Sequence, residues 1–128
     1  MAISSAICNS FKTEVLTAVH NFTASSGNTF NIALYDSSAS LGASTTAYTT
    51  SEEITNTSGS AYTAKGKALT SVTPVASSTT AVCDFSDISW TSASFTARGC
   101  MIFNDSASGD PSVCCIDFGG DKTATSGT

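Results

Sequence analysis

The amino-acid sequence predicts a mainly β protein, a β-sandwich or jelly-roll-like arrangement of antiparallel sheets with one N-terminal α-helix. Two observations carry that expectation. Apolar residues follow a helical period of about 3.6 residues once, between residues 10 and 22, and then alternate with small or polar residues in most apolar segments beyond Gly27. Those later segments are short, rich in Thr, Val and Phe, and separated by Gly, Ser, Asn and Asp, a pattern that suits a sandwich better than strands alternating with helices.

A length of 128 residues fits one β-rich domain, 1–128, able to bury roughly two-thirds of its unfolded surface. The helix is expected over about residues 10–22. There Phe11, Val15, Leu16, Val19 and Phe22 share one face, a docking face for the protein's own sheet or for a neighbour. Ser10 is the expected N-cap, and Glu14 in the first turn meets the positive end of the helix dipole. Asn21 and the Ser25-Ser26-Gly27-Asn28 cluster end the helix.

Strands are expected from about residue 29 to residue 118. Phe30 to Tyr35 alternates bulky apolar residues with Asn and Ala and reads as a strand with one core face. Asp36-Ser37-Ser38 breaks it, and the small, hydroxylated stretch 41–50 reads as an ordered loop. Shorter strands are expected at 53–55, 67–75 and 81–85, with Pro74 at an end or an edge because it has no N–H to give to a ladder. Residues 94–103 read as the longest strand, with Phe95, Ala97, Gly99, Met101 and Phe103 on one face. Residues 104–111 form a turn-rich hairpin connection and 113–118 the returning strand. Residues 118–123 read as a turn, and the polar tail to Thr128 suggests that a closing C-terminal strand either comes from elsewhere or, the favoured reading, is missing from this sequence.

Composition excludes several classes of function. An apolar share of 41% with only 12% charged residues argues against intrinsic disorder. The net charge is -5, and five Lys and Arg cannot build the basic stripe that nucleic acid demands. No apolar run approaches the ~18 residues needed to span a bilayer, so no membrane partner is expected. Met1 to Cys8 is apolar but lacks the basic start of a secretory signal. Cys8, Cys83, Cys100, Cys114 and Cys115 are odd in number and show no metal-binding spacing. They read as small hydrophobes in a reducing compartment, with one disulfide between neighbouring strands as the alternative. Adjacent Cys114 and Cys115 would face opposite sides of a strand.

No residue pattern announces catalysis, so the protein is not expected to be an enzyme or to carry a cofactor. His20 has no companion nucleophile or carboxylate in a known motif. Glu52 and Glu53 would point apart in a strand. Asp105 and Asp110, with Ser and Gly between them, offer two loop carboxylates for Ca²⁺ but lack the oxygen density of a calcium loop. Arg98, the lone arginine, is expected to make a structural ion pair with Asp84, Asp87 or Asp117, its planar fork suiting a carboxylate.

Four stretches, in order, resemble a family of small structural proteins of tailed bacteriophages. They are Ser10-Phe11-Lys12-Thr13-Glu14-Val15-Leu16 with His20-Asn21-Phe22, the segment from Ala33-Leu34-Tyr35-Asp36 to Ala47-Tyr48, Thr96 to Asn104, and Ile116 to Lys122. The resemblance covers most of the chain. It implies a virion protein without catalytic residues, assembled in the host cytoplasm. Its partners would be other virion proteins, foremost the major capsid protein, with tail proteins as the alternative. Family members continue past Gly127-Thr128 into another strand, and they are richer in glycine where this chain has Ala64-Lys65-Gly66-Lys67.

The expected function is therefore a decoration or cement protein that binds and stabilises the capsid shell as a homo-oligomer. A neck or tail-fibre component is the alternative. So is an adhesion module that binds a receptor or carbohydrate through Tyr35, Tyr48, Tyr62 and Trp90, aromatics that can equally pad the core.

Overall fold

The structure, a computed structural model, describes residues 2–55 and 58–128. Its elements run β1 (Ala6–Ile7), α1 (Asn9–Leu16), β2 (Phe30–Tyr35), β3 (Lys67–Ala68), β4 (Ser71–Ser77), β5 (Thr80–Phe85), β6 (Ala93–Asn104) and β7 (Ser112–Gly127). The fold is mainly β and antiparallel, with one short N-terminal helix. A five-stranded sheet has the order β1-β7-β6-β2-β3, and β4 and β5 form a separate two-stranded sheet. No helix is long and apolar enough to cross a membrane among the described residues.

The arrangement is sandwich-like because both faces of the five-stranded sheet are covered, largely by loops. On one face Ala33, Tyr35, Met101, Phe103 and Cys115 pack under Ile3, Cys8, Ala39 and Leu41, with Phe11 and Tyr48 closing the edge. On the other, Leu34, Ala97 and Cys100 pack under Tyr62, with Ile54, Trp90, Phe95 and Phe118 around them. The strand β2 is accordingly buried on both sides, not on one as its alternation suggested. Loop 41–50 is ordered as expected, held by bridges between Ile3 and Leu41 and between Ala47 and Pro111.

The helix is shorter than its apolar period. It starts at Asn9, with Cys8 rather than Ser10 as N-cap, and it ends at Leu16. Ala18 takes a left-handed φ of 62°, and the Val19 N–H turns back to the Glu14 carbonyl at 3.0 Å. A left-handed alanine costs about 1–2 kcal/mol. With no glycine at that position, the sequence carried no stop signal there. Beyond the turn the chain brings His20 and Phe22 against the sheet. The Phe22 ring stacks on Phe30 at 4.3 Å with an interplanar angle of 5°.

Three strand expectations also change. The segment 67–75 divides between β3, which pairs with β2, and β4, which pairs with β5. The 53–55 segment contributes only a bridge between Tyr35 and Glu53. Most consequentially, 118–123 is not a terminal turn but an irregularity inside β7. One residue of β6, Arg98, stands opposite the four residues 118–121, after which Lys122, Thr123 and Ala124 pair with Ala97, Thr96 and Phe95. The polar tail is itself part of β7 and pairs with β6 as far as Gly127. The same irregularity shifts the alternation of β6. Phe95 and Ala97 lie with Leu34 and Cys100, while Met101 and Phe103 occupy the opposite face.

The β4–β5 ribbon is the least covered part of the fold. Every residue from Val72 to Asp84 is exposed. The ribbon is tied to the rest at its base, where Phe85 packs 5.8 Å from Phe30 and the Thr73 hydroxyl accepts the Ala24 N–H at 3.1 Å. Two residues of β4, Thr73 and Pro74, stand opposite the single Cys83 of β5. Proline is tolerated at such a bulge on an edge because no ladder bond is asked of it.

Candidate binding surfaces

Arg98 makes the expected ion pair. Its Nε lies 3.1 Å from Asp117 Oδ1 and its Nη1 3.8 Å from Asp121 Oδ1. Asp121 was not among the expected partners, because it comes within reach only through the four-residue excursion of β7. Asp84 and Asp87 do not meet Arg98. The former sits on the exposed ribbon, where its Oδ1 accepts the Phe85 N–H, and the latter is exposed beyond it. The Gly119 N–H and then the Arg98 guanidinium hold the Asp117 carboxyl below its usual range. The pair spans the irregularity of β7.

The proposed docking face of the helix does not exist as one stripe. Phe11 packs into the core and stands 4.9 Å from the His20 ring, whereas Val15 is 44% and Leu16 86% exposed. Val19 and Phe22 lie beyond the helix end. His20 is buried beneath the turn. The Asn104 amide nitrogen, 3.2 Å away, donates to its Nδ1, which leaves Nε2–H as donor to Glu14 at 3.3 Å. The Asn104 orientation is fixed because its Oδ1 accepts the Ser106 and Ala107 N–H groups of the hairpin. His20 therefore ties α1 to the β6–β7 connection.

A polar network that the sequence did not reveal centres on Glu53, which is only 8% exposed. Its carboxylate accepts the Tyr48 hydroxyl at 2.5 Å, the Tyr62 hydroxyl at 2.6 Å and the Lys65 N–H at 2.8 Å. Glu52, its neighbour, is exposed, so the two carboxylates do point apart. The Lys65 ammonium bonds Asp105 and Asp110, each at 2.8 Å. The two loop aspartates considered as calcium ligands thus grip the protein's own Lys65 ammonium, and the pairing raises the Lys65 pKa. Among the described residues no group of three or more His, Cys, Asp or Glu is placed to hold a metal.

The tyrosines of the adhesion reading belong to this interior. Tyr35 and Tyr62 are buried, and Tyr35 donates its hydroxyl to the Thr49 carbonyl at 2.7 Å. Burial and then the hydrogen bond to Glu53 push Tyr48 up to about 12, and burial raises Tyr35 and Tyr62 further. Because these folded-state values exceed the ordinary value near pH 10, the neutral hydroxyls contribute stability that is fully present below about pH 10 and lost as pH rises through the folded values. Each phenol adds a slope of about 1.4 kcal/mol per pH unit. Phenolate absorbance and loss of the β circular-dichroism signal are expected to rise together above about pH 10. Tyrosines that ionise near pH 10 in a still-folded protein would contradict this.

All five cysteines are free thiols. Cys8 and Cys115 share a buried site, each sulfur 3.9 Å from the Gly42 carbonyl. Burial pushes Cys100 up to about 12 and Cys114 up to about 11. Cys115 packs in one core face while Cys114, next to it, lies outside that cluster.

Like Tyr48, Trp90 is half-buried. It walls an open groove of about 380 Å³, together with Phe95, Phe118, Leu34 and Ile88, and Lys122 stands at its side. The Lys67 ammonium lies 5.4 Å from the Trp90 ring centroid and donates to the Ser89 carbonyl at 2.6 Å. Comparison of the chain with protein-family models, with curated proteins and with solved structures gives no match.

Proposed function

We propose that the protein is a structural component of a tailed-phage virion, a decoration or cement protein that binds the capsid shell in several copies. The observation that carries this reading is the β4–β5 ribbon. An isolated two-stranded hairpin is marginal in water, yet this one projects with Val72, Val75 and Val82 exposed at 44%, 62% and 41%. Such an arm gains its stability from a partner. A second uncovered patch lies at the opposite edge of the large sheet, where Ile7 and Ile116 are 50% and 40% exposed. Two separated apolar patches on one small domain suit a protein that contacts both a neighbouring copy and the shell beneath, and repetition over a symmetric shell converts weak contacts into avidity.

With few charges available, attachment rests on apolar and backbone contacts and should change little with salt. The test is a density map of the intact particle. Copies of this fold over the shell, in contact with capsid subunits, are the expected result. Density confined to the neck or tail would end the capsid reading and favour the tail alternative.

A further inference from the structure

We infer that the Trp90 groove receives the β4–β5 ribbon of a second copy of this chain. The inference rests on the reading that the protein works in several copies, and names the contact between them.

The ribbon has one chemically distinct face. Val72 pairs with Asp84 across the strands, and Val75 pairs with Val82. Cross-strand partners share a face, and Val82 and Asp84 are two residues apart on β5. The bulge at Thr73 and Pro74 brings Val72 and Val75 onto that same face despite their odd spacing. The result is three exposed valines beside one carboxylate, and Asp84 is the only charged residue of the whole ribbon.

The groove has the complementary chemistry. Its walls are aromatic, and its volume lies in the range of sites that bury ligand groups. Its charge is the more specific feature. Of the five cations in the chain, Lys65 and Arg98 are held by aspartates, and Lys12 lies on Asn9 of its own helix. Lys12, Lys67 and Lys122 have no carboxylate partner among the described residues; Lys122 lines this groove, while Lys67 lies over the Trp90 ring with its ammonium on the Ser89 carbonyl. Asp121, next to Lys122, is engaged by Arg98. Asp87 is the one carboxylate on the groove's own 87–90 segment, and it is exposed. A protein of net charge -5 thus places one ammonium group, Lys122, in the lining of its aromatic groove, and presents elsewhere an apolar face with a single carboxylate. Valines entering the groove would bring Asp84 to Lys122.

Donor and acceptor are different surfaces, so each copy offers one of each, and the contact closes into a ring or a reciprocal pair according to the rotation between copies.

Charge reversal tests it on the full chain. Light scattering gives the mass, and the emission of Trp90, the only tryptophan, reports cover of the groove. The unaltered protein is expected to associate, and dilution to shift its emission to the red. Lys122→Glu and Asp84→Lys are each expected to weaken association at least tenfold, and the double variant to restore it. Val75→Asp with Val82→Asp should give a folded monomer, since both sites are exposed. Association unchanged by the single reversals, or no rescue in the double variant, overturns the ribbon-to-groove contact while leaving the reading of several copies in place. A monomer at every concentration overturns the contact too, leaving the groove to another protein. A particle map without this fold on the virion overturns the reading beneath it.

Discussion

Glu53→Ala is expected to lower the unfolding free energy by about 3–5 kcal/mol, a large fraction of the ~5–15 kcal/mol that a domain has in all. The carboxylate is buried and receives three donors, from Tyr48, Tyr62 and Lys65. Alanine leaves each of them facing a cavity. A buried donor without an acceptor costs about 1–3 kcal/mol, and the Tyr62 hydroxyl is itself the acceptor of the Leu34 N–H at 3.0 Å. The damage therefore reaches β2. Glu53→Gln keeps the volume but turns one acceptor oxygen into a donor among donors, so it should fall between alanine and the unaltered protein. Urea unfolding gives the comparison through the midpoint at constant slope. A loss below about 1 kcal/mol for Glu53→Ala would show that water replaces the carboxylate and that the network is not what anchors the loops.

What the sequence conveyed was set by period and turn residues, and what it hid depended on the path of the backbone in space. Period and turn residues located β2, the hairpin at 104–111 and the long β6, because each is decided by neighbours within a few positions. Arg98 was legible as an ion pair since a lone arginine in a strand needs a carboxylate. Its second partner, Asp121, was not, because only the excursion at 118–121 brings it close. The helix end was hidden by an alanine in a conformation that usually announces itself as glycine. Glu53 was hidden most completely. Its donors come from residues 48, 62 and 65, and adjacency to Glu52 drew attention to a pair that burial then separated. The tyrosines offered the one clue, since a buried hydroxyl must find a partner. The ribbon face was equally out of reach, as its three valines align only through the register shift at Pro74.

Gly66→Ala is expected to cost about 2–5 kcal/mol, as the sum of a left-handed backbone and an overpacked contact. Gly66 has φ +67°, and a Cβ placed there would lie 1.8 Å from the Ile32 carbonyl oxygen and 3.0 Å from the Ala33 Cα. Those are backbone atoms of the buried β2, so no side chain can swing aside to make room. The turn must shift, and with it Lys65, whose N–H serves Glu53 and whose ammonium joins Asp105 and Asp110. Gly109→Ala isolates the backbone term. That residue has φ +82° with nothing within 4 Å of the added carbon, so its loss should be only about 1–2 kcal/mol. Because Gly66 and Glu53 act on the same turn, their combined loss should fall short of the sum of the two single losses. Equal losses at Gly66 and Gly109 would mean that the turn relaxes freely. In that case the approach of residue 66 to β2 would not be what holds Lys65 in place between the core carboxylate and the hairpin aspartates.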